Sequence, residues 1–199
     1  MYIKLEKWAR HTINFEPAAI KVFLRLIRND GPGLLVLQGG EPGIKPANKS
    51  LFLGMVQEFT DGASSEKTFL SSYYPDLWDL LEQLDSHHYY QCCDVKQILK
   101  RTMSEDEIYS TPLSVAVTYA LAFEGKAHGF TPYRKMVILC DNIEKYMRFN
   151  KESNENYLRD LASKLDGQQE VTFLGATQLI WYEAESVLGS ERLIPLGGD

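Results

Sequence analysis

The sequence has few of the residues that build metal centres and disulfide frameworks, with three cysteines and four histidines among 199 residues. Cys92 and Cys93 are adjacent, Cys140 lies on a predicted buried strand, and no CxxC pair occurs. A disulfide framework is therefore not expected, and a reducing compartment is favoured. His87-His88 lies close to Cys92-Cys93, but the spacing is not that of a metal site, so we expect no bound metal.

Long apolar runs are also missing. No stretch reaches the roughly 18 apolar residues that cross a membrane, and the N-terminal segment MYIKLEKWARHTINFE is too polar for a signal peptide. A cytoplasmic protein without a membrane partner is expected. The net charge of -6 argues against a general binder of nucleic acid or anionic lipid. No Walker loop and no GxGxxG, GxSxG or HExxH pattern is present.

What is present is the composition of an ordinary globular protein, with 44% hydrophobic and 24% charged residues. We predict one domain over 1–199, because no repeat or convincing linker interrupts the chain. Helices are predicted at 17–29, 76–84 and 94–103, and one or two more over 142–165. Strands are predicted at 34–37, 133–141, 170–175, 177–185 and 192–196, and 51–59 fits either element. Helices thus dominate the first half and strands the second, which indicates an α+β fold.

The stretch EIYSTPLSVAVTYALAF, 107–123, is the most informative segment. It predicts a strand that ends at Tyr109, then a turn, then a helix capped by Ser110-Thr111 and opened by Pro112. Apolar residues at spacings of three and four predict the buried helical face: Val115, Ala116, Tyr119, Ala120 and Phe123. Tyr109 is expected to point into the turn and to face a cleft.

Four stretches together resemble the ADP-ribosyltransferase fold, in the poly(ADP-ribose)-polymerase-like and diphtheria-toxin-like branch that carries a His-Tyr-Glu triad. The strand 34–37 with Gln38-Gly39-Gly40 resembles the first core strand of that family, with Gln38 in place of the histidine. The segment 108–112, with the helix after it, resembles the block whose strand ends in the triad tyrosine, here Tyr109. The segment 133–141 resembles the next core strand, and 178–182 resembles the closing strand, with Gln178 in place of the glutamate.

The resemblance implies a split mixed sheet with flanking helices. It also implies a helical insertion at roughly 49–92, because about 60 residues separate Gln38 from Ile98. The Arg-Ser-Glu branch of the same fold is an alternative, since Tyr109-Ser110-Thr111 resembles its Ser-Thr-Ser motif. Glu183-Ala184-Glu185, two carboxylates on one face of the predicted strand, resembles its E-x-E. The tyrosine branch is favoured because neither candidate first strand ends in arginine.

The resemblance also implies NAD as co-substrate and a set of roles for named residues. Gly39 would bind the nicotinamide carboxamide and Gln38 the adenosine ribose, while Tyr109 would stack on the nicotinamide ring. Contacts to NAD are further expected from Ser110, Ser114 and Tyr119. Gln178 would bind the nicotinamide ribose, and Glu183 or Glu185 would supply the charge that a neutral glutamine lacks.

Two functions follow as hypotheses. The first is an NAD-dependent ADP-ribosyltransferase that makes single transfers to a macromolecular acceptor, more readily a protein than a nucleic acid, and releases nicotinamide. The second is a catalytically inactive member of the same fold that acts by protein-protein interaction. In that case the contact surface would be the insertion with its four clustered aromatic residues, Tyr73, Tyr74, Tyr89 and Tyr90.

Overall fold

A computed structural model describes residues 16–39, 47–61, 89–129, 134–177 and 183–196. Within these ranges the helices are α1 Glu16–Arg28, α2 Ala47–Thr60, α3 Val95–Leu99, α4 Glu105–Ser110, α5 Leu113–His128, α6 Ile143–Leu165 and α7 Ala184–Leu188. The strands are β1 Leu34–Gly39, β2 Tyr89–Asp94, β3 Arg134–Cys140, β4 Val171–Thr177 and β5 Leu193–Leu196, with a 3₁₀ turn at Ser190–Arg192. Helices alternate with strands along most of the chain.

The five strands form one sheet in the order β2-β3-β4-β1-β5, and all four pairings are parallel. Leu34 pairs with Phe173 on one side of β1, and Val36 pairs with Leu193 on the other. The predicted combination of a sheet with flanking helices is confirmed. The mixed sheet is not: the described strands are all parallel, because a helix or a longer segment separates each of them from the next strand in the chain. The fold is accordingly α/β in type.

Apolar residues cover both faces of the sheet, as parallel sheets require. One cluster joins α1 and α2 to the face that carries Leu35, Leu37, Val137 and Leu139. The other cluster packs the five helices from α3 through α7 against the opposite face, which carries Leu34, Val36, Ile138 and Cys140. Alternate residues of β1 and β3 therefore point to different helical layers.

Most predicted elements are confirmed, and the ambiguous stretch 51–59 is helical as part of α2. The prediction of one or two helices over 142–165 is resolved by Asn150, whose non-helical backbone kinks α6. The prediction of the buried face of α5 is partly wrong, because Val115 and Tyr119 are exposed whereas Leu113 and Val117 are buried.

The strand predicted at 107–109 is wrong. These residues lie in the short helix α4, which Ser104 and Glu107 open with a capping box. The two side chains bind each other's backbone N–H, so the first helical turn is satisfied locally. Tyr109 consequently lies on a helix.

The strand predicted over 177–185 is wrong at its described C-terminal end. Thr177 is the last residue of β4, Glu183 lies in a turn, and Glu185 lies in α7. Gln178 lies outside the described residues. Of the predicted insertion, α2 contributes buried residues such as Phe52 and Val56 to the first core cluster, and Cys92 of β2 packs against the same cluster. The helix predicted at 76–84 lies outside the described residues.

Candidate functional site

The carboxyl ends of the parallel strands bring polar residues to one edge of the sheet. Gln38 lies near the end of β1, Asp94 ends β2, Asp141-Asn142 directly follows β3, and Thr177 ends β4. Ligands of open parallel sheets bind outside this edge, in the crevice between neighbouring strands whose following helices lie on opposite faces.

That crevice lies between β1 and β4. After β1 the chain enters α2, which packs on the face of the first core cluster. After β4 it enters α7, which packs on the opposite face with α5 and α6. β1 and β4 are neighbours in the sheet, and the helices that follow them lie on opposite faces of it. The topology alone thus marks this position as the candidate site.

Lys49 spans this crevice from the first turn of α2. Its side chain is 3% exposed, and its Nζ donates to the carbonyl oxygen of Thr177 at the end of β4. Burial lowers the pKa of the Lys49 ammonium, and the carboxylates of Glu144 and Asp141 act in the opposite direction. One of its three N–H donors is used by Thr177. A buried cation thus lies where the N-terminus of a helix already favours an anion.

Two buried polar atoms at the same edge have no hydrogen-bond partner among the described residues. They are Oγ1 of Thr177 and Oδ1 of Asn142, whose residues are 0% and 2% exposed. Cys140 pairs with Gly175; Thr177 stands two residues further along β4, and Asn142 stands two residues past Cys140, beyond the end of β3. An unpartnered buried polar atom costs about 1–3 kcal/mol. The pair therefore indicates a place where a ligand or its water supplies the missing bonds.

The backbone at the end of β3 fixes the orientation of Asp141. Asn142 adopts the left-handed conformation, with φ 58° and ψ 46°, which asparagine tolerates better than most residues. In this conformation its N–H donates to Oδ1 of Asp141 at 2.8 Å, and its Nδ2 donates to Oη of Tyr109 at 3.2 Å. Tyr109 therefore contacts the site through Asn142.

The residues predicted from the sequence are not brought together as one set. Gln38 and Gly39 lie at the β1 end of the crevice, half-buried and buried respectively. Tyr109 is 4% exposed and lies edge-on against Tyr146, with ring centroids 5.1 Å apart. Its ring is thus covered by protein and does not face an open cleft.

The remaining predicted residues lie on the surface. Ser110 is exposed at the end of α4, and Ser114 lines a surface cavity on α5 and α6. Tyr119 is exposed, with its hydroxyl 3.5 Å from Thr102 Oγ1. Glu183 is exposed and pairs with Lys151 at 2.7 Å, and Glu185 is exposed on α7.

Of the aromatic residues proposed as an interaction surface, Tyr73 and Tyr74 lie outside the described residues. Tyr89 is 68% exposed at the start of β2. Tyr90 is partly buried, with its ring 5.2 Å from that of Phe59 and its hydroxyl 3.4 Å from the Leu26 carbonyl oxygen. Tyr90 thus serves the core and leaves Tyr89 as the exposed member of that pair.

Lys49 is the site residue that strict motif matching misses. The segment GIKPANKS, 43–50, fits the phosphate-binding pattern GxxxxGK[ST] at Gly43, Lys49 and Ser50, with Asn48 in place of the second glycine. It follows an apolar strand and leads into a helix, which is the context that the pattern requires. A second signal is an apolar strand, MVILC, that is followed directly by Asp141.

Comparison with protein-family models and with curated protein sequences finds no match to this chain. In the part of the chain that the structure describes, no helix is long and apolar enough to cross a membrane. The same residues contain no group of three or more His, Cys, Asp or Glu side chains placed to hold a metal ion alone. All three cysteines are free thiols.

Proposed function

We propose that the crevice between β1 and β4 binds the phosphates of a nucleoside triphosphate together with Mg²⁺. The observation that carries this proposal is the buried ammonium of Lys49, in the first turn of α2 at the topological switch point of the sheet. A helix N-terminus with its backbone N–H groups and a lysine is a recurrent phosphate site. The near-match of 43–50 to the phosphate-binding loop supports the same ligand.

The roles follow from the chemistry of each group. Lys49 would leave the Thr177 carbonyl and bind the terminal phosphates, and α2 would add its N–H groups and dipole. Mg²⁺ keeps several waters and takes one or two carboxylates plus phosphate oxygens, so it needs no cluster of three protein ligands. Asp141, which follows β3, supplies the carboxylate, and Ser50 occupies the sequence position whose hydroxyl binds the ion in such loops.

The test is a titration of the purified protein with ATP and Mg²⁺ by calorimetry, for the wild type and Lys49→Met. Methionine keeps the length and apolar contacts of the stem but removes the charge. We expect at least tenfold weaker binding, because a charge-assisted hydrogen bond contributes about 1.5–3 kcal/mol. Lys21→Met, an exposed lysine of α1, is the matched control and should bind as the wild type does. Equal affinity of Lys49→Met and the wild type, or no binding by the wild type at millimolar ATP, would overturn the proposal.

The ADP-ribosyltransferase function with NAD as co-substrate stays a prediction. Gln38 and Gly39 lie at the same crevice as Lys49, but stacking of a nicotinamide on Tyr109 would require its ring to leave the core beside Tyr146. Nicotinamide release from NAD, with a cell lysate as acceptor source, measures this activity directly. Release by the wild type but not by Tyr109→Ala would favour the transferase. The inactive interaction module likewise stays a prediction, and its test is capture of a partner that Tyr89→Ala loses.

A further inference from the structure

We propose that Asn142, whose side chain is held by Tyr109, places a water molecule for attack on the terminal phosphate of the bound nucleotide. The inference rests on the proposed function and adds a reaction to it, the hydrolysis of a nucleoside triphosphate. Asn142 would contact the reacting water and therefore has a catalytic role, whereas Tyr109 acts through Asn142 as a positioning residue.

The first step is the order of the groups across the carboxyl edge of the sheet. Lys49 reaches the end of β4 from the β1 side, where its Nζ donates to the carbonyl oxygen of Thr177. Asn142 follows β3, which lies on the other side of β4. A terminal phosphate bound by Lys49 would therefore lie at the end of β4, and Asn142 belongs to the next connection along the edge.

The second step is the pair of polar atoms that the folded chain leaves without a partner at this place. Oγ1 of Thr177 and Oδ1 of Asn142 are buried and have no hydrogen-bond partner among the described residues. A buried water typically binds about three polar groups that are otherwise unsatisfied. Both atoms can accept a hydrogen bond from water, and an oxygen of the phosphate offers a third partner. The two atoms therefore indicate a water position beside the phosphate that Lys49 would bind.

The third step is the group that fixes the amide of Asn142. Its Nδ2 donates to Oη of Tyr109 at 3.2 Å. Tyr146 meets the ring of this tyrosine edge-on, with the planes at 74°, and Nζ of Lys145 lies 4.8 Å from the ring centroid. Edge-to-face aromatic pairs and cation-π contacts each favour one ring position. The hydroxyl of Tyr109 therefore binds the donor end of the amide at a fixed point and leaves the acceptor end for the water.

The reaction requires orientation of the water more than a strong base. The water oxygen forms a bond to the terminal phosphorus, and the bond from that phosphorus to the bridging oxygen breaks. The electron pair of the broken bond leaves with the nucleoside diphosphate, and the proton of the water passes to a phosphate oxygen. Because the transition state of phosphoryl transfer is loose and largely dissociative, a side-chain amide that orients the water is sufficient.

The experiment follows phosphate release from ATP and Mg²⁺ by the full chain, and calorimetry measures the ATP affinity in parallel. Asn142→Gly keeps the left-handed backbone but removes the amide. We expect its turnover to be about 100-fold lower, with the affinity unchanged within about twofold, because a misplaced reactant costs rate rather than binding. Tyr109→Phe removes only the hydroxyl and should lower turnover about tenfold. In the Asn142→Gly background the same change should have no further effect, because the tyrosine acts only through the amide.

Tyr157→Phe is the control, since Tyr157 is a half-buried tyrosine of α6, and its turnover should equal that of the wild type. Wild-type turnover in Asn142→Gly or in Tyr109→Phe would overturn the inference, even if the variant melts at a lower temperature. A further loss on adding Tyr109→Phe to Asn142→Gly would also overturn it, because the tyrosine would then act through the fold. A wild type that binds ATP and Mg²⁺ but releases no phosphate would overturn the inference and leave the proposed function intact. A wild type that binds no ATP would remove both.

Discussion

At the scale of single residues, burial decides how the thiols of β2 titrate. Burial raises the pKa of the Cys92 thiol and of the Cys93 thiol to about 12, whereas the pKa of a cysteine in an unfolded chain is about 8.5. Between these values the folded protein holds protons that the unfolded chain has lost. The contribution of the protonated thiols to the free energy of unfolding is fully present below about pH 8.5, and it is lost as the pH rises towards about 12.

We therefore predict a steeper alkaline loss of stability in the wild type than in the double variant Cys92→Ala/Cys93→Ala. At one pH unit above the unfolded pKa, each buried thiol should lower the free energy of unfolding by about 1 kcal/mol. The measurement is urea unfolding at pH 8.0 and 9.5, where the wild type should lose about 2 kcal/mol more than the variant. Equal losses in the two proteins would show that the thiols are not shielded from titration.

Single residues also differ in how far the sequence predicts their place in the candidate site. Residue type predicted that Cys92, Cys93 and Cys140 form no disulfide, and all three are free. It did not predict the place of Lys49, because a lysine after a polar loop looks like a surface residue until the fold buries it at 3% exposure. Tyr109 was singled out from the sequence, yet its partner Asn142 lies 33 residues away. Pairings at that distance come from tertiary structure.

At the scale of elements, Asn154 joins α5 to α6. Pro112 directly precedes α5, and its side chain cannot accept a hydrogen bond from the first N–H groups of the helix. Instead Oδ1 of Asn154 accepts from the N–H of Leu113 at 2.8 Å, and its Nδ2 donates to the Tyr146 carbonyl at 2.9 Å. That carbonyl lies one turn before the kink at Asn150, where the regular helical partner is lost. One buried side chain thus satisfies the end of one helix and the break in another.

Replacing this residue by alanine should destabilise the protein by about 2–4 kcal/mol, because two buried backbone groups lose their partners. The free energy of unfolding from urea titration gives the value. Asn156→Ala is the matched control on the same helix. Asn156 is exposed, and its side-chain oxygen accepts a hydrogen bond from the exposed Arg159, so a change within about 0.5 kcal/mol is expected. Similar losses in both variants would refute a bridging role for Asn154.

Local signals explain which elements the sequence predicts. Hydrophobic period and end signals suffice for α1, β1, β3 and β4. The segment 107–109 is apolar enough for a strand, but Ser104-Glu105-Asp106-Glu107 is a capping-box sequence and decides for a helix. Weighing that signal above the short apolar run would have corrected the prediction. The kink at Asn150 has no comparable local signal, since its stabilising partners Ser110 and Asn154 come from other turns.

At the scale of the whole molecule, strand order creates the site and cannot be read along the chain. Gln38 pairs with Thr177, and Leu37 pairs with Ile194. A sequence that presents helices mostly first and strands mostly last looks like an α+β fold until these distant pairings are known. The position of the crevice beside Lys49 follows from the pairing of β1 with β4.

Arg25 secures the same long-range arrangement from the helical layer. It is 3% exposed and directs all five of its donors to oxygen atoms. Two of these atoms belong to the turn after α1, and three lie beyond residue 167: Asn29 O, Gly31 O, Gln168 O, Val171 O and Thr172 Oγ1. Burial lowers the pKa of the Arg25 guanidinium, and Asp166 acts in the opposite direction. The side chain thus ties α1 to the start of β4 by hydrogen bonds.

Arg25→Lys keeps the charge but offers one ammonium group where five fixed donors were used. We expect it to lower the free energy of unfolding by about 3 kcal/mol or more, because several buried acceptors lose a charged donor. Since β4 lies in the centre of the sheet, far- and near-ultraviolet circular dichroism should shift to lower urea together. Lys21→Ala, an exposed change on the same helix, should stay within about 0.5 kcal/mol. A lysine variant as stable as the wild type would mean that charge alone holds α1 on the sheet.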